Sequence, residues 1–314
     1  MQTKETALEV KNLKKTYGNF CAVNGISFNV PRGTAVGLLG PNGAGKTTTI
    51  QVLLGVTLSN GGSIQYFDMD FASRKQECLQ RINFASSFNS LQGRISVWEN
   101  LIVFAGLYQV SNPEKRIKEL AEIFEIGSLF SMRYWDLSTG QKTRVNLAKA
   151  FLNDPELILF DEPTASLDPD ISDKLLSLIE RLKKERNLSI LYTSHDMDEV
   201  ARICDEVIFL DHGAIVAHDT PLGLTKRIDV STLSIMFEGD KKNIVDILSQ
   251  YENKHSFSNE CTVQIRLAEK LIPKVIFNLS QGGIWITDIS IRKPTLEDVF
   301  LSIARKSNDF VETH

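Results

Sequence analysis

The sequence predicts an α/β core followed by a smaller α+β domain. Strand-like and helix-like segments alternate over residues 1–220, which is typical of a parallel or mixed sheet with helices on its faces. Several strand-like runs are almost wholly apolar, as expected of strands buried on both faces. These runs are 35–39, 157–160, 189–192 and 207–210. The pattern changes after Thr220 and Pro221, so two domains are expected, 1–220 and 221–314.

Helices are predicted from the spacing of apolar residues and from start signals. Between Asp170 and Arg186 the apolar residues recur at helical spacing. Residues 112–125 read as another helix, with Pro113 in its first turn. In the second domain, strand-like and helix-like runs again alternate. The strands are expected at 231–237, 261–267 and 284–291, and the helices at 242–251, 269–279 and 296–304.

The composition is that of an ordinary soluble globular protein, with 42% apolar and 24% charged residues. The net charge of −4 offers no basic field for nucleic acid, so no nucleic-acid partner is expected. The longest apolar runs are far shorter than a membrane-spanning helix. Four scattered cysteines without a C-x-x-C pair indicate reduced thiols rather than a metal site. A cytoplasmic protein is expected.

A motif of eight residues lies between the apolar strand 35–39 and a helix-like stretch, 48–54. Residues 40–47 read G-P-N-G-A-G-K-T, which fits the P-loop pattern G-x-x-x-x-G-K-[ST]. The glycines let successive N–H groups point at phosphate oxygens, and the helix N-terminus adds its dipole. Lys46 would bind the outer phosphates and Thr47 would bind Mg²⁺. The predicted nucleoside triphosphate site consists of Gly40, Pro41, Asn42, Gly43, Ala44, Gly45, Lys46, Thr47 and Thr48.

An acidic pair follows the apolar strand 157–160. Asp161 is placed to hold Mg²⁺, and Glu162 is placed to polarise an attacking water. Such a pair is by itself most often a solvated strand end. The P-loop elsewhere in the chain favours the catalytic interpretation.

A run of small residues, 137–141, reads L-S-T-G-Q and precedes a helix-like segment, 142–152. A helix N-terminus behind small residues forms an anion site. Taken alone, such a run is usually just a helix cap. Its interpretation therefore depends on the other motifs.

The order of these motifs resembles that of the ATP-binding subunits of ABC transporters. Five motifs follow one another within residues 8–218. In order, they are the P-loop, L-S-T-G-Q, apolar-D-E-P-T, S-L-D (166–168) and a histidine after Thr193 and Ser194. The resemblance implies a P-loop NTPase core of ABC type with a helical subdomain. It also implies ATP as the nucleotide and ATP hydrolysis as the activity.

The resemblance assigns nucleotide contacts to residues outside the P-loop. Tyr17 matches the aromatic residue that stacks on adenine, although a lone aromatic in a strand more often packs in a core. Ser138, Gly140 and Gln141 match the signature loop, which contacts the γ-phosphate held by the opposite subunit.

The resemblance likewise assigns the catalytic residues. Asp161 matches the magnesium aspartate, Glu162 the catalytic base and His195 the switch histidine that contacts the γ-phosphate. Taken alone, His195 would more often be an ordinary surface or core residue. Asp168 matches the loop that communicates across the dimer.

Two positions depart from the family pattern. Thr139 stands where many relatives have glycine, but Gly140 is retained for the tight turn. Ser87 stands where relatives place a glutamine that touches Mg²⁺ and the attacking water. A serine side chain is shorter and reaches the metal only through a water. Ser87 is the candidate for the magnesium contact, through such a water, and Gln92 is the alternative if the loop rearranges.

Two further segments bear on partners. Residues 84–108 are rich in aromatic side chains, and in the family this region receives a helix of the membrane subunit, although ordinary packing accounts for an aromatic residue equally well. The aromatic residues are Phe84, Phe88, Trp98, Phe104 and Tyr108. Residues 293–301 read K-P-T-L-E-D-V-F-L and resemble the ending of an exporter branch that moves drugs, sodium, polysaccharides or lipids.

The resemblance implies an ATPase subunit of an exporter, peripheral on the cytoplasmic face of a membrane. A chain with one P-loop and one signature loop needs a second copy, and head-to-tail C2 pairing around two ATP molecules meets that need. A separate integral membrane permease subunit is the other expected partner. Two alternatives remain at this point. They are a soluble ATPase acting on ribosomes or DNA, and a regulatory nucleotide-binding module without catalysis.

Overall fold

The computed structural model describes residues 5–87, 90–165, 167–251 and 255–311. Phe88 and Ser166, which belong to two of the motifs above, lie outside these ranges. The chain forms two compact units, Met1–Pro221 and Leu222–His314.

The first unit begins with three successive strands, and after them strands and helices alternate only in part. In its described part the strands are β1 (Thr6–Tyr17), β2 (Phe20–Pro31), β3 (Ala35–Leu39), β4 (Gly61–Tyr66), β5 (Met69–Asp70), β6 (Ile82–Ser86), β7 (Leu157–Asp161), β8 (Ser189–Thr193), β9 (Glu206–Asp211) and β10 (Ala214–Asp219). The helices are α1 (Lys46–Leu53), α2 (Lys75–Arg81), α3 (Val97–Leu107), α4 (Pro113–Ile123), α5 (Thr139–Ala150), α6 (Pro169–Arg186) and α7 (Met197–Ile203). A short helix, α8 (Pro221–Thr225), follows.

The central sheet of the first unit is mostly parallel, in the order β10-β9-β3-β8-β7-β6. Only the edge strand β10 runs antiparallel to its neighbour among the described strands. The inner strands β3 and β8 are buried along their whole length, which explains their unbroken apolar runs. The predicted α/β core is confirmed.

A second, antiparallel sheet in the order β2-β1-β4-β5 packs on the same core. Phe28 and Ile64 from this sheet belong to one buried cluster with Leu38 and Leu159 from the central sheet. The helices α3, α4 and α5 contact one another and form the predicted helical subdomain. Ser96 starts α3 with a capping box, since its side chain accepts from the N–H of Glu99 and Glu99 accepts in return.

The second unit is α+β, as predicted, but its antiparallel sheet has four strands, one more than the sequence indicates. Its elements are β11 (Ser231–Glu238), α9 (Lys241–Ser249), β12 (His255–Asn259), β13 (Thr262–Leu267), α10 (Ile272–Gln281), β14 (Trp285–Arg292) and α11 (Leu296–Val311). The strand order is β12-β13-β11-β14. Alternate residues of β11 and β13 form a core with apolar residues of α9 and α10. The predicted helix at 269–279 is in fact a 3₁₀ turn, Glu269–Leu271, followed by α10, because Pro273 favours the first turn of a new helix.

No helix of the described residues is long and apolar enough to cross a membrane.

Candidate active site

The carboxyl ends of four parallel strands meet at one edge of the central sheet. β3 leads into the P-loop at Gly40, β7 into Glu162, β8 into Ser194 and His195, and β6 into Ser87. Because β3, β8, β7 and β6 are successive neighbours, these segments lie side by side. In open α/β sheets this is the edge where ligands bind.

The P-loop adopts a backbone that only glycine accepts at two of its positions. Gly40 has φ +150° and a Cβ there would lie 2.2 Å from the carbonyl oxygen of Leu210. Gly45 has φ +103° and a Cβ there would lie 2.3 Å from the carbonyl oxygen of Ala22. Gly45 also caps α1, so the free N–H groups of the first helical turn open onto the loop.

Lys46 is held inside the loop by main-chain oxygens. Its ammonium donates to the carbonyl oxygens of Gly40 at 2.6 Å and Pro41 at 3.1 Å. Burial lowers the pKa of Lys46, and the charges of Glu162 and Asp161 oppose that shift. The charges of both acids therefore act on the lysine.

Oxygen donors suited to Mg²⁺ stand at this edge. Thr47 is exposed at the start of α1, and Asp161 accepts one hydrogen bond, from Thr193 Oγ1 at 2.6 Å. The described residues contain no group of three or more His, Cys, Asp or Glu side chains that would hold a metal by themselves. That donor set suits Mg²⁺, which usually binds one or two carboxylates and substrate phosphates rather than an all-protein cage.

Glu162 and His195 contact each other at the end of the sheet. His195 Nε2 lies 2.6 Å from Glu162 Oε1, and the Glu162 side chain is mostly buried. Glu162 has φ +51°, a conformation that is uncommon for residues other than glycine. Its N–H is held by the carbonyl oxygen of Thr193 at 3.0 Å, which fixes this turn against β8.

Glu199, on α7, is a residue that the sequence reasoning did not single out. Its Oε2 atom accepts from the hydroxyls of Thr164 at 2.7 Å, Ser194 at 2.8 Å and Tyr192 at 3.0 Å. The Glu199 side chain is buried. One carboxylate therefore ties the segment after Glu162, the end of β8 and the residue before His195 together. The only feature of the sequence that could have pointed to Glu199 is its position four residues after His195, in the segment Asp196–Glu199.

Ser87 directly follows the end of β6. The last residue of that strand, Ser86, lies opposite Asp161 in the β6–β7 register. The Ser87 hydroxyl is buried and has no hydrogen-bond partner within the described residues. Gln92 is exposed and held through its main chain, which exchanges two hydrogen bonds with the Asn100 side chain at 3.0 and 2.9 Å. A buried hydroxyl without a partner among the described residues suits the binding of a water, such as one in a metal shell.

The signature residues form a helix cap that faces solvent. Ser138 accepts from the N–H of Gln141 at 3.3 Å, and its own N–H donates to Gln141 Oε1 at 2.9 Å. A Cβ on Gly140 would lie 3.0 Å from Ile171, so this position is tightly packed against α6. No hydrogen bond or ion pair of the described residues joins this cap to the P-loop of the same chain.

Tyr17 lies at the tip of the β1–β2 hairpin. The residue is 45% exposed, and the Lys15 ammonium lies 4.8 Å from the ring centroid. Tyr17 is therefore not a core residue.

The aromatic stretch divides into two parts. Trp98 stacks edge-on against Phe130 at 5.0 Å and is accounted for by packing within the helical subdomain. Phe84, Leu107 and Tyr108 line a cavity of about 520 Å³, together with Leu54, Lys75, Gln76, Leu79, Gln80, Ile82, Asn83 and Gln109. Leu107 is 66% exposed at this cavity. Beneath the aromatic rings, burial lowers the pKa of Lys149 to about 8, and its ammonium lies 5.4 Å from the Phe104 ring.

The chain resembles known proteins over most of its length. The family described as ABC transporter matches residues 23–165. The Nod factor export ATP-binding protein I of Rhizobium sp. (strain N33) is 33% identical, over 95% of this chain and 97% of that protein. The linearmycin resistance ATP-binding protein LnrL of Bacillus subtilis (strain 168) is 29% identical, over 96% of this chain and 99% of that protein.

Solved structures agree with the fold. An ATP binding subunit of an ABC transporter is 29% identical with a TM-score of 0.65, over 71% of this chain and 93% of that one. The cbiO1 protein of Clostridium perfringens, part of the ABC transporter complex cbiONQ, is 26% identical with a TM-score of 0.63, over 79% of this chain and 96% of that one.

Proposed function

The chain belongs to the ABC transporter family as an ATP-binding subunit with ATPase activity, and on that premise we propose that it powers an exporter by hydrolysing ATP between two copies of itself. The observation that carries the catalytic part is the contact of His195 with Glu162 beside Lys46. In this proposal Lys46 binds the outer phosphates and Glu162 accepts the proton of the attacking water. His195 exchanges its contact with Glu162 for the γ-phosphate.

Mg²⁺ is part of the proposal because the oxygen donors fit it. The Thr47 hydroxyl and the Asp161 carboxylate would hold the ion, and the Ser87 hydroxyl would bind one of its waters. When bound, Mg²⁺ neutralises charge that develops on the phosphates. The chain's own contribution is to orient the phosphates through Gly40, Pro41, Asn42, Gly43, Ala44, Gly45, Lys46, Thr47 and Thr48, and the adenine through Tyr17.

A head-to-tail dimer is proposed because the signature cap faces solvent. In this family, Ser138, Gly140 and Gln141 match residues that contact the γ-phosphate held by the opposite chain. Among the described residues, no hydrogen bond or ion pair joins them to the P-loop of their own chain. C2 symmetry would use the same interface twice and complete two ATP sites. ATP binding favours this closed dimer because the contacts of Ser138 exist only there.

The second proposed partner is an integral membrane permease subunit. The cavity lined by Phe84, Leu107 and Tyr108 offers exposed apolar side chains of the kind that anchor a helix. Docking there would keep the chain on the cytoplasmic face of the membrane. The relatives named for Nod factor export and linearmycin resistance support export as the direction of transport.

One observation favours a second candidate, a regulatory module that binds nucleotide without turnover. The buried Ser87 hydroxyl replaces a longer family side chain and has no partner within the described residues. ATP turnover by the purified chain, compared with the Glu162→Gln variant, separates the two functions. Phosphate release that requires Glu162 supports the ATPase, and equal release from both proteins assigns the signal to a contaminant and favours the regulator.

A further inference from the structure

We propose that the free edge of β14 pairs with the same edge of a second copy of the chain, in an antiparallel register centred on Ser290. This interface is separate from the nucleotide-dependent dimer proposed above. It involves the second unit only and does not require ATP.

Among the described strands, β14 pairs only with β11 and forms one edge of its sheet. Its register opposite β11 is regular from Arg292 to Asp288. Outside this stretch, the β14 ladder has one register shift, between Met236 and Phe237 of β11. The other edge strand, β12, has five residues against eight in β14, and its own register shift, between Phe257 and Asn259, interrupts that short strand. Short, irregular edges discourage pairing, whereas a regular stretch of edge offers unpaired N–H and C=O groups to another strand.

Two isoleucines of β14 are exposed on the apolar face of the sheet. Ile289 lies opposite Ile235 and Ile291 lies opposite Leu233, and both residues of β11 are fully buried in the core. Ile289 itself is 39% exposed and Ile291 is 46% exposed. Both point to the core side, so an additional strand at this edge would cover them.

The residues from Asp288 to Arg292 read D-I-S-I-R, which is complementary to itself in antiparallel order. Centring the pair on Ser290 sets Asp288 opposite Arg292 of the other copy, twice, and Ile289 opposite Ile291. Moving the centre to either neighbouring residue loses both opposite-charge pairs. Opposite charges directly across an antiparallel pair stabilise it, and like charges destabilise it.

Arg292 retains the capacity for this contact although it already has a partner. Its Nη2 lies 3.3 Å from Asp298 Oδ1, while its side chain is 62% exposed. A guanidinium has five N–H donors, so one carboxylate does not exhaust it. A self-complementary patch is what a C2 interface requires, and this favours a second copy over an unrelated protein.

Charge exchange in the full chain, without nucleotide, tests the proposal. Asp288→Arg puts arginine opposite arginine, and Arg292→Asp puts aspartate opposite aspartate. Each variant alone should dimerise about tenfold or more weakly than the wild-type chain in sedimentation velocity. A one-to-one mixture of the two variants makes both pairs complementary and should recover the wild-type dimer, which also controls for the lost contact with Asp298.

Cross-linking gives a second readout that does not depend on the charges. In a Cys21→Ser, Cys261→Ser background, Ser290→Cys lies on the proposed symmetry axis and should form a disulfide-linked dimer under mild oxidation. Ser256→Cys, exposed on β12 at the opposite edge, is the matched control and should not. A wild-type chain that stays monomeric without nucleotide, an unrestored mixture, or equal cross-linking at both edges would overturn the β14 interface. A dimer that needs ATP would leave the head-to-tail proposal in place and remove this one.

Discussion

His195 Nε2 lies 2.6 Å from Glu162 Oε1, and the two residues follow adjacent parallel strands, β8 and β7. In the function proposed above, Glu162 accepts the proton of the attacking water and His195 contacts the γ-phosphate. On that proposal, transfer of His195 to a γ-phosphate would release the Glu162 oxygen and so link nucleotide binding to activation of the base.

Replacing Glu162 with glutamine should nearly abolish ATP hydrolysis while ATP binding persists. The amide keeps the shape of the side chain but does not accept the proton of the attacking water, and general-base catalysis typically contributes about 10²–10⁴-fold. Phosphate release and nucleotide affinity are the two measurements, and the variant should accumulate as an ATP-bound dimer on size exclusion. Turnover at the wild-type rate would remove Glu162 from the role of base.

Replacing Lys46 with alanine should weaken ATP binding itself. The Lys46 ammonium donates hydrogen bonds to the carbonyl oxygens of Gly40 and Pro41, and a bound phosphate would compete with these oxygens for the ammonium. Hydrogen bonds to charged groups contribute roughly 1.5–3 kcal/mol each, so calorimetry should detect at least about a tenfold loss of affinity. Thr57→Ala, outside the P-loop, is a suitable control. The same affinity in the Lys46 and Thr57 variants would contradict the P-loop assignment.

Glu199 should act as a positioning residue for the segments that carry Glu162 and His195. Glu199→Gln keeps an acceptor but loses the charge on which three hydroxyls converge, so kcat should fall about tenfold while the KM for ATP stays within about twofold. Glu199→Ala leaves those buried hydroxyls without their acceptor and should also lower the melting temperature. Steady-state ATPase assays well below the melting temperature separate the two effects. A kcat that follows only the folded fraction would reduce Glu199 to a structural role.

Ser87 should leave the metal shell short of one protein ligand. Ser87→Gln restores the length that the family usually has at this position, so it should change basal ATPase activity or its Mg²⁺ dependence. Gln92→Ala should have little effect, because Gln92 is exposed and its main chain is fixed by Asn100. The reverse result, a silent Ser87→Gln and an impaired Gln92→Ala, would assign the role to Gln92. If neither variant changes activity or Mg²⁺ dependence, this loop has no part in the catalytic site.

The α/β core, with a parallel or mixed sheet, was predicted from buried apolar runs, and the structure confirms it. The P-loop and the acidic pair could be located from short motifs, and their roles stay predictions. The role of Glu199 was not predictable, because its three donors come from segments up to 35 residues away along the chain. The strand β12 was also missed, since H-S-F-S-N has too few apolar residues to alternate clearly. From the sequence, Trp98 was grouped with the aromatic residues of the expected docking region, and only the fold shows that it packs against Phe130.

Docking to a membrane subunit should depend on the cavity beside α3 rather than on aromatic content as such. Leu107 is 66% exposed there, so Leu107→Asp should weaken membrane association without harming the core, whereas Trp98→Asp should also destabilise the helical subdomain. Leu58→Asp is the matched control, because Leu58 is 81% exposed and is not among the residues lining the cavity. The measurement is fractionation of cells with and without the candidate permease, alongside ATP affinity. Phe88→Asp belongs to the same series, although Phe88 lies outside the described residues. Association that persists without a permease, or that Leu107→Asp and Leu58→Asp reduce equally, would contradict docking at this cavity.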